Sequence, residues 1–566
     1  MGAQEVRPGM TTTQESPQES PQARQRSTKL LREVGLVGLM WASMGSIIGS
    51  GWLFGPQKAL IEAGPAAIIS WVIGGVAIVI LALPHAELGG MYPVSGGTAR
   101  FPHYAFGGVA GASFGWFAWL NAATVAPIEV SAMLTYAGHY GFAKDWIDPE
   151  TSVLSPTGIV VAIILMAVLT AINFLGVKKL AATNSAATWW KIAIPLLTIL
   201  VLAIANFDTG NLTAANGFNP GGLHAIFAAV SSAGIIFSYL GFEQADQLAG
   251  ESANPKRDVP FAIIGSVVFG TIIYILLQLV FLFALPQSAI GDTWDQTGKG
   301  LYTTFTGPFA EVATLLSIGW LAAIIYIDAI ISPAGTGLIY TTGSSRLAYG
   351  LARNGYVPAC FEWTNKRSVP WAGLIAAFVT GCICFLPFPS WQSLVGLITS
   401  ASVLMYGGAP LSLGAFRRRL PDADRPYRLP VASVFSPLAF IVANLIILWT
   451  GWDTIWKLGV TILVGYAILV ANRVFKLNPH KPTLDWRASS WLIPYLLGMG
   501  VIVYVSTFGP KGEDALIPFG WDAVVVGIWS LVIYYWAMAV AMSTEQIEEM
   551  IGEVELPEDG MEPVTH

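Results

Sequence analysis

The chain has 566 residues, of which 54% are apolar and only 11% charged, with a mean hydropathy of +0.60. Soluble globular chains carry about 25% charged residues, so 29 Lys and Arg with 35 Asp and Glu leave too thin a polar coat for a soluble body of this size. These numbers argue against a soluble enzyme, and three cysteines are too few for a secreted disulfide scaffold; a net charge of −6 gives no footing for a nucleic-acid partner.

Residues 1–33 are rich in Gln, Ser, Thr and Pro, lack the apolar run of a signal peptide, and are expected to be a disordered tail. Beyond them, apolar runs of about 20 residues recur, the length that crosses a bilayer core of about 30 Å. Fourteen spans are expected, over 34–60, 65–89, 105–137, 157–177, 184–206, 223–247, 260–285, 308–349, 370–388, 391–413, 431–451, 457–472, 489–508 and 519–543. The eighth is too long for one plain crossing and must tilt, break or run on into the cytoplasm. Residues 544–566 hold many Asp and Glu without Lys or Arg, which reads as a solvated acidic tail rather than a membrane-surface helix.

Charge in the connections sets an orientation. With the N-terminus inside, only Lys58, Lys144, Lys299, Lys457 and Lys511 fall outside; Lys191 lies within a span, and every other Lys and Arg faces inward. That asymmetry is the positive-inside pattern, and it places both termini in the cytoplasm.

Two spans carry glycine-flanked interruptions. The first contains Gly45-Ser46-Ile47-Ile48-Gly49-Ser50-Gly51-Trp52-Leu53-Phe54-Gly55-Pro56, and each helix-interior glycine costs about 1 kcal/mol relative to Ala. Close packing through small residues is the simpler use of glycine in a membrane, and it suffices for the evenly spaced Gly107, Gly111 and Gly115 of the third span. The first-span glycines are denser and not so spaced. The sixth span contains Gly234-Ile235-Ile236-Phe237-Ser238-Tyr239-Leu240-Gly241-Phe242-Glu243. Broken helices five spans apart point to an inverted repeat with its binding site at the midplane. Half-helix N–H groups attract a carboxylate and half-helix C=O groups an ammonium, which together suit an α-amino acid.

These stretches, with Ala86-Glu87-Leu88-Gly89, Pro93-Val94-Ser95-Gly96-Gly97 and Asn254-Pro255-Lys256-Arg257-Asp258-Val259-Pro260, resemble the amino acid–polyamine–organocation (APC) permeases. Ile128-Glu129-Val130, Gly319-Trp320-Leu321-Ala322, Ile327-Asp328-Ala329-Ile330, Ser345-Arg346-Leu347, Leu386-Pro387-Phe388-Pro389-Ser390-Trp391 and Tyr534-Tyr535-Trp536-Ala537 are most similar to the bacterial aspartate–proton symporter-type permeases. The resemblance implies an all-α polytopic membrane protein with a five-plus-five inverted-repeat (LeuT-like) core over 34–413, discontinuous helices 1 and 6, and accessory helices 11–14 over 414–543. It implies that Ser50 and Gly51 present N–H groups to a substrate carboxylate. The carbonyls of Ile47, Phe237 and Leu240 would receive the amine, with Gly49 and Gly241 in the breaks beside them and Phe237 as an aromatic gate.

Charges within spans are costly and therefore candidates for function. Lys191 either snorkels to headgroups or forms an internal ammonium against the first and eighth helices. The second reading resembles a lysine of proton-coupled members of the superfamily and favours H⁺ over Na⁺. Glu129 in the outer third span and Asp328 near the middle of the eighth are proton-coupling groups, ligands for a substrate ammonium, or structural acids. Glu243 and Asp246 are structural or gating, and Arg346 faces the cytoplasm. His85 and His103 are too few for a metal site, Cys382 and Cys384 sit as small hydrophobes, and Trp146, Trp363 and Trp371 anchor at interfaces.

No P-loop, metalloprotease or nucleophile-elbow pattern stands in a fitting context, so no enzyme, cofactor or metal is expected. The sequence reads as a secondary active transporter of the bacterial inner membrane, taking up an amino acid of the acidic class with protons. The alternatives are a permease for neutral or cationic amino acids, an amino-acid exchanger, and a substrate-sensing receptor on a transporter fold. Two membrane acids would repel an acidic substrate if both were ionised, a conflict that protonation of Glu129 and Asp328 removes.

Overall fold

The computed structural model describes residues 34–94, 97–148, 153–175, 177–367, 369–386 and 390–555, with the side chains of all of these but 177–186 and 553–555. The expected disordered tail over 1–33, Ser95, Gly96, Pro387–Pro389 and the last part of the acidic tail, 556–566, lie outside the described residues. The described residues are helical, with three isolated bridges and no strand among them.

In chain order the helices begin with α1 (Leu36–Ile47), α2 (Gly51–Ala63), α3 (Ala67–Met91), α4 (Gly97–Phe106) and α5 (Gly108–Ala137). Next come α6 (Pro156–Asn173), α7 (Val177–Ala205), α8 (Gly222–Ser232), α9 (Ile235–Tyr239), α10 (Glu243–Gln247) and α11 (Pro255–Ala284). They continue as α12 (Pro308–Leu315), α13 (Gly319–Arg353), α14 (Trp371–Cys384), α15 (Trp391–Tyr406) and α16 (Gly408–Arg419). The chain closes with α17 (Ala432–Thr450), α18 (Trp452–Val474), α19 (Leu492–Val505), α20 (Trp521–Val540) and α21 (Thr544–Glu555). Ten helical stretches among the described residues are long and apolar enough to cross a membrane, and α1, α8, α14 and α19 are shorter apolar helices.

Burial separates centre from rim. The apolar windows of α5 and of α15 with α16 are wholly buried, whereas those of α18, α6 and α20 are 22%, 33% and 33% buried. In a bilayer the exposed apolar faces of the latter meet lipid, so α5, α15 and α16 stand at the centre of the bundle and α6, α18 and α20 at its rim. Local signals fix several starts. Ser155 caps α6, its Oγ accepting from Gly158 N–H at 3.0 Å with Pro156 as the first helical residue. Ser390 and Ser393 form a reciprocal capping box at α15.

Three expectations are corrected and a fourth is narrowed. The expected third span, 105–137, starts only at Gly108, because Gly107 adopts φ +80° and turns the chain between α4 and α5. Gly107 is thus a joint and not part of a packing seam, while Gly111 and Gly115 do abut His103, Tyr356 and Leu351. The open N–H groups at the start of α5 are capped from far away. Asp485 Oδ2 accepts from Gly108 at 3.3 Å, the Leu484 carbonyl from Val109 at 3.0 Å and Ser489 Oγ from Ala110 at 3.1 Å. The eighth span, expected to tilt, break or run on, does break, at Leu316–Ile318 with Ser317 at φ +63°, and α13 then runs 35 residues. The expected acidic tail is not wholly solvated. Residues 544–555 form α21, whose Ile547 is fully buried, and Thr544 Oγ1 donates to the Arg419 carbonyl at 2.7 Å.

Candidate substrate site

The two helix interruptions meet inside the bundle. Ile48, Gly49 and Ser50 separate α1 from α2, and Leu240, Gly241 and Phe242 separate α9 from α10. Missing side chains allow the approach, since a Cβ on Gly241 would lie 2.7 Å from Ile47 N and one on Gly51 2.4 Å from Ser238 Oγ. Between the breaks lies a cavity of ≈ 240 Å³ that Ile47, Gly49, Gly51, Phe237, Leu240 and Glu129 help to line. Ser50 and Gly241 adjoin it in the same interruptions. Its remaining walls are Ser46, Val125, Thr336 and Tyr340, which the sequence reading did not single out. They are uncharged and sit in three different helices, so only their fold neighbours reveal them.

Each interruption exposes backbone groups that need partners. At the start of α2 the Ser50 N–H donates to Glu129 Oε2 at 2.9 Å, and the Ser50 hydroxyl accepts the Trp391 indole N–H at 2.9 Å. At the end of α1 the Ile47 carbonyl accepts the Tyr274 hydroxyl at 2.8 Å. Across the cavity the Gly241 N–H donates to Glu243 Oε2 at 2.9 Å. The Ser50 amide, expected to meet a substrate carboxylate, thus holds a carboxylate of the chain itself.

Lys191 is fully buried on α7, and its ammonium donates to the Gly45 carbonyl and, at 2.6 Å, to Thr336 Oγ1. That geometry corrects the snorkelling reading. The lysine reaches α1 and α13 because both present oxygen acceptors in the apolar interior, where a bare ammonium is costly. A Cβ on Gly49 would lie 2.5 Å from Glu129 Oε1 and 2.9 Å from Thr336 Oγ1. Glu129, Thr336 and Lys191 therefore form one continuous cluster around the first interruption. Glu129 was expected in the outer part of its span, and its carboxylate sits at the level of the break. Asp328 stands apart from the cavity lining, fully buried, accepting from Trp52 Nε1 at 3.1 Å and from Ser332 Oγ at 2.6 Å.

A second acidic cluster lies beyond the α9–α10 interruption. Glu243 accepts from Tyr406 at 2.5 Å, Tyr340 at 2.8 Å and Asn121 at 3.4 Å besides the Gly241 amide. Asp246 Oδ2 lies 2.9 Å from His85 Nδ1, with both side chains fully buried. Glu87 is also buried and holds Arg417 at 2.6 Å, Arg425 at 3.2 Å and, at 2.7 Å, the Leu429 N–H. Arg346 is half exposed beside Glu251 at 3.8 Å and does not reach the cavity. His103, in α4, lies 2.7 Å from the Tyr356 hydroxyl; burial pushes its imidazole down to about 4, and Arg100 acts in the same direction. A larger space of ≈ 350 Å³ between α5, α13 and α18 is lined by Trp116, Tyr356, Tyr466 and other uncharged residues, and holds none of this chemistry.

Paired helix interruptions around a polar cavity in an apolar bundle are the architecture of a gradient-driven carrier. Residues 34–469 match the family described as Amino acid permease, which is well over half of the chain. The chain belongs to the amino acid permease family. It is thereby a multi-pass membrane transporter of the APC superfamily, acting on amino acids and not an enzyme. Among its relatives, the glutamate/serine transporter AimA of Bacillus subtilis (strain 168) is 34% identical over 525 residues, covering 92% of this chain and 96% of the relative. The aspartate-proton symporter of the same organism is 33% identical over 521 residues, covering 91% and 98%. Cationic amino acid transporter 5 of Arabidopsis thaliana is 24% identical over 547 residues, covering 91% and 87%. Among these, the permease is more similar to the two bacterial transporters than to the plant one.

Proposed function

We propose that this permease takes up an acidic α-amino acid together with protons by alternating access, across the inner membrane of a bacterium. In this reading the bundle has fourteen spans, a five-plus-five repeated core with four accessory helices, and both termini in the cytoplasm, which is the end carrying Arg417, Arg418 and Arg419. The substrate carboxylate binds at Ser50 and Gly51, and the amine at the carbonyls of Ile47, Phe237 and Leu240. Phe237 closes over the bound molecule.

The observation that carries this reading is the Ser50 N–H donated to Glu129. A half-helix N-terminus is suited to a carboxylate, and two carboxylates cannot share one amide while both are ionised. Protonating Glu129 releases the amide to the substrate, so proton and substrate load as a pair. Lys191, held by Gly45 and Thr336 beside the same break, offsets negative charge in the cluster and supplies the ammonium nearest to an acidic side chain. Asp328, tied to Trp52 of α2, is the further candidate for carrying a proton toward Lys191. The relatives named for glutamate or aspartate support the acidic class.

One observation favours a second reading. The cavity walls are uncharged apart from Glu129, and the Lys191 ammonium is already engaged, which suits a small neutral amino acid. Radiolabelled aspartate uptake into sodium-free proteoliposomes, with and without an inward proton gradient and challenged by each unlabelled amino acid, separates the readings. Gradient-dependent uptake blocked chiefly by aspartate and glutamate is the expected result. No aspartate uptake, with labelled serine taken up in its place, selects the neutral substrate. Uptake that needs internal amino acid and ignores the gradient overturns symport in favour of exchange.

A further inference from the structure

Trp391 opens α15, far in sequence from both interruptions, yet it touches each of them. Its indole N–H donates to Ser50 Oγ at 2.9 Å. The ring lies 5.1 Å from Phe54 of α2 and meets Phe237 of α9 edge-on at 5.8 Å, interplanar angle 86°. It is 4% exposed. The space it fills is kept open by Gly234, whose φ of +88° and a Cβ only 2.8 Å from the indole would make any side chain costly. The Ser390–Ser393 capping box fixes the start of α15, and so the level at which the indole enters.

Ser50 therefore serves two partners at once. Its amide holds Glu129, and its hydroxyl holds Trp391. A tryptophan carries a large rigid apolar body and one directional donor. Here the body packs on Phe54 of α2 and on Phe237, which itself lines the cavity, and the donor ties that aromatic layer to the residue expected to receive the substrate. Phe54 continues the aromatic layer to Tyr136 at 5.2 Å, and Tyr136 to Tyr326 at 5.9 Å. The layer lies on the side of the breaks away from the arginine cluster.

We propose that Trp391 is the positioning residue of the outer gate: it seals the substrate cavity from outside and, through Ser50, makes opening of that seal depend on the state of the α1–α2 interruption. The inference rests on the alternating-access reading but not on which amino acid is carried. A carrier that opens outward must break the Trp391–Ser50 hydrogen bond and withdraw the indole from Gly234. Ser50 is then free to turn its amide from Glu129 to an incoming carboxylate.

The test is accessibility from outside. Val125 lines the cavity from α5 and is 2% exposed. Val125→Cys is introduced after Cys360, Cys382 and Cys384 are replaced, and a membrane-impermeant thiol reagent is applied to intact cells without substrate. Trp391→Phe keeps a ring but lacks the donor, and loss of one buried hydrogen bond predicts external labelling about five- to tenfold faster. Trp391→Ala removes the cover as well and predicts a larger increase, at least about 100-fold. Labelling from the cytoplasmic side, measured in inverted vesicles, stays within about twofold for Trp391→Phe, a change smaller than one hydrogen bond. Unchanged external labelling in correctly folded Trp391→Phe overturns the gate, as does an equal rise from both sides, which marks general loosening. If Trp391→Ala does not fold, Trp391→Phe alone decides. Because the readout uses no amino acid, failure of aspartate uptake leaves it standing, and its own failure leaves the substrate reading intact.

Discussion

Glu129 and Glu243 are both fully buried, both lie beside a helix interruption, and both accept a backbone amide from one. They differ in everything else. Glu243 collects Tyr406, Tyr340 and Asn121 in addition, drawn from α15, α13 and α5. Glu129 has the Ser50 amide on Oε2 alone, while its Oε1 has no hydrogen-bond partner among the described residues. Several donors converging on one carboxylate hold it in place. An oxygen left without one is where a proton, or a change of partner, can be accommodated. The difference teaches that burial alone does not mark the working acid in this fold. In the proposed coupling the working acid is Glu129, whose partners are incomplete, near the ammonium of Lys191.

Lys191→Met should have the largest effect on transport. It removes the ammonium from Thr336 and from the Gly45 carbonyl, which then keeps only the Thr336 hydroxyl at 3.3 Å, and leaves Glu129 without a neighbouring cation. Removing one member of a buried charged cluster costs about 3–5 kcal/mol, so initial uptake should fall at least about 100-fold. Uptake within a few-fold of the parent would break the contrast, because the cluster around Glu129 would then need no cation.

Glu243→Gln should act on the fold rather than on coupling. Gln replaces one acceptor oxygen with a donor that faces the Tyr406 or Tyr340 hydroxyl, and lost hydrogen bonds to a charged group cost about 1.5–3 kcal/mol each. Thermal unfolding in detergent should shift clearly downward, while the remaining uptake keeps its dependence on the proton gradient. A flattened gradient dependence would move the working acid to the second cluster. Tyr406→Phe removes one of these donors and predicts a smaller shift in the same direction, about 1.5–3 kcal/mol.

His103 sharpens the comparison from α4, outside the helices long enough to cross a membrane, and its effect should be the smallest. Its imidazole titrates at about 4 when folded against an ordinary 6.5, because burial and Arg100 both disfavour the cation. Between those values the unfolded chain binds more protons than the native one. Stability therefore rises with pH across that window, and is lost as pH falls from 6.5 toward 4. His103→Gln should remove this slope from thermal unfolding curves without altering the pH profile of uptake above the window. A changed uptake profile would make His103 part of coupling.

Much of the site was legible because membranes make exceptions conspicuous. Glycines crowded at 45–55 and 234–241, and the isolated Lys191, Glu129 and Asp328, are conspicuous in apolar runs, and the structure gathers the first two charged residues at one break. Their partners were not legible. Thr336, Tyr340, Tyr274 and Trp391 look like ordinary membrane-helix residues until three-dimensional packing brings them to the breaks. The joint at Gly107, the cap that Asp485 and Ser489 give α5, and the docking of α21 are tertiary effects with no local pattern. The charge of α21 read as solvation, but one buried isoleucine and a hydroxyl on the Arg419 carbonyl fix the helix.

The contrast between the two acids is tested most directly in Glu129→Gln, by measuring two processes on the same proteoliposomes. One is accumulation of labelled amino acid driven by an inward proton gradient, and the other is exchange of labelled for unlabelled amino acid without a gradient. Glutamine keeps the shape and an acceptor oxygen near Ser50 but can neither gain nor lose the proton. The account predicts that exchange persists while gradient-driven accumulation disappears. Accumulation that still follows the gradient would contradict it, and would remove Glu129 from the coupling step.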